Sequence, residues 1–224
     1  GQTKVNYEQI KMNINNSASD LFYTTLFKRY IAGDSTLTLE QKRHCYYGYI
    51  FQEKYDPYKR AKTIDLVDST IKNQLEKIDT AAINLLIDSA LNSYPFDLKA
   101  LLYKKCFSIN SSNESKIAIS RIGIILNAIK STGDGLKKGT SYSVIYIPHE
   151  MLLLNSLGLT PSGEQQLEKD DIDVLYVNKN ERGMKKMYFD ISSMKTNENP
   201  RNILFHQFYH AFMNRHPLDF KLIE

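Results

Sequence analysis

Tryptophan is absent from the 224 residues, and cysteine occurs only twice, at Cys45 and Cys106. Neither cysteine has a CxxC partner, which excludes a zinc site built from cysteines. Both fall inside expected helices. The sequence leaves open a disulfide between them or two separate core thiols. No apolar run reaches the roughly 20 residues that a membrane-crossing helix needs. Blocks of one charge sign are missing as well: 29 Lys and Arg are interspersed with 25 Asp and Glu, for a formal net charge of +4. The densest basic spots, Lys137-Lys138 and Arg182 to Lys186, lie beside glycines in expected turns. They read as solvated loop charge, and no nucleic-acid partner is expected. No nucleotide-binding glycine fingerprint occurs, and no Ser-His-Asp or Cys-His arrangement finds support. Cys45 does follow His44, but adjacent helical residues point about 100° apart.

What is present is ordinary globular composition, 42% hydrophobic and 24% charged, long enough to bury a core without disulfides or metal. Fifteen tyrosines and ten phenylalanines supply the aromatic surface. Helical periodicity dominates the first part. Leu21 to Tyr30, Leu39 to Ile50, Thr63 to Lys77, Ala81 to Ser93, Phe96 to Ile109 and Ile117 to Ile129 read as helices, five or six in all, while Tyr7 to Met12 opens a segment whose pattern Asn13, Asn15, Asn16 and Ser17 break. Thr38 with Gln41 three residues on has the form of a capping box. After Gly139 the period changes. Tyr142 to Ile147 and Asp171 to Val177 are β-branched and aromatic, so strands are predicted, with Met184 to Ile191 returning as a hairpin. His149 to Leu157 leans towards strand, and Gly158 to Asp171 reads as loop with short structure. A last helix is predicted over 202–215.

The reading is α+β: N-terminal antiparallel helical hairpins over residues 2–130, a small antiparallel β-sheet docked on them over 131–193, and a C-terminal helix or tail over 194–224. Thr80 to Tyr103 is its most telling stretch, with a small residue at Ala90, a turn at Pro95 and a second apolar helix. Ala90, Pro95, Ala100 and Leu101 resemble a tetratricopeptide repeat over about residues 64–130. Lys104 and Lys105 stand where that repeat usually has leucine and glycine. Ala82 is one step from its usual alanine. Such stacks bind partners through a groove, so the expected function is a non-enzymatic protein- or peptide-binding module. Tyr46, Tyr47, Tyr49 and Tyr103 are its candidate contacts.

An ordered set of short motifs carries a wider resemblance: Tyr46-Tyr47-Gly48-Tyr49, Asn92 to Ala100, Ser131 to Gly135, Val144 to Glu150 with Leu157-Gly158, and Met187 to Ile191. Over about residues 5–192 it resembles an uncharacterised domain-of-unknown-function family of exported Bacteroidetes proteins. The resemblance implies a helical part joined to a β part and export through a signal peptide, and it implies no activity. The chain begins Gly1-Gln2 rather than with Met. A lone leading glycine looks like a scar of tag removal, and a start without Met fits a removed signal peptide. A periplasmic or cell-surface location is therefore expected.

Other constellations compete with this reading. His149 and Glu150, with Asp134, could serve a small hydrolase or metal-dependent enzyme by proton transfer. Ser131 to Gly135 could hold an anion on backbone N–H groups or a cation on Asp134, or simply stop a helix and turn. His206 and His210 have the spacing that puts two imidazoles on one helix face. Gln207 replaces the glutamate of the zinc-protease signature, however, and no third ligand is visible. Neither metal nor cofactor is expected. A structural component assembled through the tail at 202–224 is the third alternative.

Overall fold

A computed structural model describes residues 2–57, 62–73, 79–108 and 112–194. The fold is α+β, with a run of helices followed by a four-stranded sheet. The chain divides into two compact units, one helical over residues 6–55 and 59–131 and one carrying the sheet, mainly from residue 132 onward.

Seven helices build the helical unit: α1 (Tyr7–Ile14), α2 (Tyr23–Ile31), α3 (Leu39–Tyr47), α4 (Lys62–Asn73), α5 (Thr80–Ser93), α6 (Leu98–Phe107) and α7 (Ser112–Lys130). Their starts are written in the sequence. The Thr38 side chain accepts from the Gln41 N–H while the Gln41 side chain accepts from the Thr38 N–H, completing the expected capping box. Asp79 caps α5 by accepting from the Ala81 and Ala82 N–H groups. Asp97 caps α6 by accepting from Ala100. Each side-chain oxygen satisfies N–H groups that the helix itself leaves without a partner.

Consecutive helices α4 to α7 pack pairwise, and α2 and α3 close back onto α7. Ala90 is fully buried on α5. Its small side chain permits that packing, so Ala90→Leu is expected to lower stability by about 1–3 kcal/mol through overpacking. Urea unfolding of the two chains measures it. The turn at Pro95 does more than break a helix. Its carbonyl accepts from the Tyr30 hydroxyl at 2.7 Å and from Arg121 Nη2 at 2.6 Å, tying α2 and α7 to the α5–α6 turn.

Phe96, next in the chain, is the centre of the core. Its ring stacks on Tyr30 at 4.5 Å and meets Tyr49 at 4.9 Å, Tyr46 at 5.8 Å and Phe27 at 6.3 Å. Helix α3 ends at Tyr47, and Gly48 opens a 3₁₀ turn to Phe51. A Cβ at Gly48 would stand 3.2 Å from both Ile14 Cγ2 and Tyr23 Cδ2. Close approach of α1 and α2 is the reason for a glycine among aromatics.

In the second unit, β1 (Tyr142–Ser143), β2 (Pro161–Glu168), β3 (Ile172–Val177) and β4 (Lys186–Asp190) form a sheet of order β1-β4-β3-β2. The pair β3–β4 is antiparallel, as the hairpin pattern predicts, and β2 adds to β3 as a further antiparallel pair. The two-residue β1 pairs parallel to β4, so the sheet is mixed rather than wholly antiparallel.

Three local expectations are corrected. The strand predicted over Tyr142 to Ile147 is only Tyr142–Ser143, and residues 144–147 bend and turn into the next helix. The segment leaning towards strand at His149 to Leu157 is helix α8 (Pro148–Ser156). Pro148 is the first helical residue, where its missing N–H would have had no helical partner anyway. Leu152, Leu153 and Leu154 are all buried, so the helix shows neither a 2- nor a 3.6-residue period. The supposed loop at 158–171 contains β2, whose polar Glu164, Gln165 and Gln166 form an edge strand with little β propensity. The C-terminal helix predicted over 202–215, with His206 and His210, lies outside the described residues.

Candidate functional site

The helical unit contains a cavity of about 370 Å³ lined by the end of α2 and by α5, α6 and α7. Ile31, Leu91, Leu101, Ile117 and Ala118 give it apolar walls. Asn92 lines it from an exposed position. Two cations also line it, and their surroundings differ. Lys104 on α6 is paired twice, to Asp88 at 2.9 Å and to Glu114 at 3.1 Å. Those two acid side chains are half exposed, 49% and 50%, and Ser108 donates to Glu114 as well.

Arg121 on α7 is only 7% exposed. It donates one hydrogen bond, from Nη2 to the Pro95 carbonyl, and its guanidinium lies 4.8 Å from the Tyr30 ring centroid. Its Nε has no hydrogen-bond partner, and no carboxylate among the described residues pairs with it. A buried charge normally carries an ion partner, because desolvation is otherwise uncompensated. The Tyr30 face supplies part of that compensation through cation–π attraction. The guanidinium is held by the Pro95 carbonyl and the Tyr30 side chain, and its Nε is left without a hydrogen-bond partner.

The aromatic residues expected to contact a partner lie elsewhere. Tyr46, Tyr47 and Tyr49 are buried core residues, packed around Phe96 and against Tyr7 and Tyr55, and present no open stacking surface. The Tyr47 hydroxyl donates to the Ala128 carbonyl, which anchors α3 to α7. Tyr103 is half-buried, its hydroxyl donating at 2.5 Å to Asp68, which also pairs with Lys99.

The second unit holds the acid–base residues singled out from the sequence. His149 and Glu150 follow one another on α8 and are both buried. His149 meets the buried Tyr146 ring edge-on at 5.2 Å. Glu150 faces Asp173 of β3 instead, an acid that no local sequence signal pairs with it. Asp173 is also fully buried, and its Oδ2 accepts from Gln165 Nε2 at 2.6 Å. Neither Glu150 oxygen has a donor at hydrogen-bonding geometry. Burial first, and then the neighbouring Asp173, push the Glu150 carboxyl well above the usual carboxylate range. The pair is sealed from solvent, which leaves a substrate no approach to it.

Asp134 is committed to its own loop. Its Oδ1 accepts from the Thr140 hydroxyl at 2.5 Å and from the Leu136 N–H at 3.0 Å. The N–H groups of Asp134 and Gly135 both donate to the Thr140 carbonyl, so they are not open to an anion. A Cβ at Gly133 would stand 2.1 Å from that same carbonyl oxygen, which makes the glycine a requirement of loop closure. Cys45 and Cys106 are both free thiols. Among the described residues no cluster of His, Cys, Asp and Glu has the makings of a metal site, and no helix is long and apolar enough to cross a membrane.

The Arg121 cavity was missed in the sequence because its lining is scattered over four helices. Arg121 on an otherwise apolar helix face was the only available signal. A family model described as a domain of unknown function, DUF4919, matches residues 8–200. No curated protein and no solved structure matches the chain.

Proposed function

The chain belongs to the family of the domain of unknown function DUF4919, and from that premise we propose that it is a non-enzymatic protein- or peptide-binding module. Its helical hairpins are tetratricopeptide-like in this reading, and its working surface is the α5–α6–α7 cavity. The observation that carries the proposal is Arg121, a buried cation without an acidic partner, lining a cavity with apolar walls. Apolar walls with a few placed polar groups are the usual make-up of a ligand site. The tyrosines are too deep to serve as contacts, so recognition moves from Tyr46, Tyr47 and Tyr49 to Asn92, Ile117 and Arg121. The hydrolase alternative has a structural argument against it: His149, Glu150 and Asp173 are sealed, and Asp134 is bonded within its own loop.

Panning a displayed random-peptide library on the full chain tests the proposal. Asn92→Trp puts a large side chain at an exposed position of the lining. Enriched peptides are expected to lose at least about tenfold in affinity for that variant, one or more well-packed contacts being worth that much. His149→Ala is expected to bind them unchanged. Peptides that bind the Asn92→Trp chain as well as the parent would contradict the cavity as the working surface.

A further inference from the structure

We infer that the group seated beside Arg121 is a carboxylate carried on a small apolar body, either the C-terminus of a peptide or a free short-chain acid. The inference rests on the cavity being the binding surface and adds the chemistry of its occupant. Three observations converge on it. Arg121 lines the cavity while 7% exposed, and its charge meets no carboxylate within the described protein. The other cation, Lys104, is held by both Asp88 and Glu114, so the two acids of the lining are engaged with it rather than with Arg121. The remaining lining is Ile31, Leu91, Leu101, Ile117 and Ala118, with the Asn92 amide the one neutral polar side chain.

Within this cavity an anion is therefore drawn to Arg121. The planar guanidinium matches a carboxylate, and a charge-assisted hydrogen bond is stronger than a neutral one. The anchoring of Arg121 through Pro95 and Tyr30 holds the fork in place before a ligand arrives, which lowers the ordering cost of binding. The volume of about 370 Å³ admits a body the size of one or two apolar residues. A phosphate would forgo the apolar walls. A ligand without an acid would leave the Arg121 charge uncompensated.

The test is calorimetric titration of the full chain with four probes: 4-methylpentanoate, 4-methylpentanamide, N-acetylglycyl-leucine and its C-terminal amide. Each acid is expected to bind about 10–100-fold tighter than its amide, the range for a hydrogen bond to a charged group. Preference for N-acetylglycyl-leucine identifies a peptide terminus, and preference for 4-methylpentanoate identifies a free acid. Arg121→Met should abolish the difference between acid and amide. Arg121 also holds the Pro95 turn, so Asn92→Trp, at an exposed position, provides the second variant and should weaken both acids. Acid and amide binding alike would overturn the carboxylate, as would no binding by either acid. If displayed peptides still required an open Asn92 position, the cavity would stand as the binding surface without its acid. If they did not, both conclusions would fall together.

Discussion

Replacing Phe96 by alanine is expected to lower the stability of the helical unit by about 3–5 kcal/mol, the range for emptying a buried aromatic site. Phe96 is fully buried and touches rings from α2, from α3 and from the 3₁₀ turn after it. Removing it leaves Tyr30, Tyr46 and Tyr49 without their common partner. Tyr30 also helps hold the Pro95 carbonyl that Arg121 grips, so the loss should reach the cavity. Phe96→Leu, which keeps most of the volume, should cost markedly less. Urea unfolding followed by tyrosine fluorescence measures both. A change below about 1 kcal/mol for the alanine would mean that the aromatic cluster is not the core of this unit.

The second large effect depends on pH and belongs to the sheet-bearing unit. Glu150 holds its proton well above the ordinary carboxylate range because it is buried and faces Asp173. In the unfolded chain the same group ionises near pH 4.3. Below that pH both states bind the proton, and the group contributes no slope. Above it, the folded state binds one more proton than the unfolded state, so folding stability falls as pH rises until the folded group ionises. The slope approaches about 1.4 kcal/mol per pH unit for one proton. Glu150→Gln keeps the shape and removes the titration. Its stability relative to the parent should rise as the pH climbs above the unfolded-state value, until the folded Glu150 ionises. Urea midpoints for the two chains across pH 4–8 measure this, because groups remote from the Glu150–Asp173 pair cancel in the difference. A difference independent of pH would show that Glu150 ionises in the folded chain as it does in the unfolded one.

These expectations rest on features that were unequally legible in the sequence. The helices from α2 to α7 were visible because apolar residues recur on one face and because caps such as Thr38 are local signals, whereas α1 and the Asp97 cap went unread. The Ala90 and Pro95 pair marked a helix, a turn and a second helix, and that is the observed order. That the Pro95 carbonyl gathers Tyr30 and Arg121 could not be read, since those residues stand 65 and 26 positions away in the chain. The aromatic tetrad at Tyr46 to Tyr49 illustrates the same limit. Tyrosine suits a binding surface and a half-polar core equally, and only tertiary packing decides between them. Helix α8 failed for a local reason: a run of leucines buried on all sides has no period to read. Glu150 and Asp173 come together because α8 meets β3, and no spacing rule connects them.

The central claim is that the helical unit binds its ligand in the Arg121 cavity while the acid pair near α8 is structural. The most direct test is a two-dimensional amide and methyl NMR titration of the isotope-labelled full chain with 4-methylpentanoate and N-acetylglycyl-leucine. The expected result is a saturable set of shifts confined to Leu91, Asn92, Leu101, Ile117, Ala118 and Arg121. Shifts centred on His149, Glu150 and Asp173, or none with either acid, would contradict it.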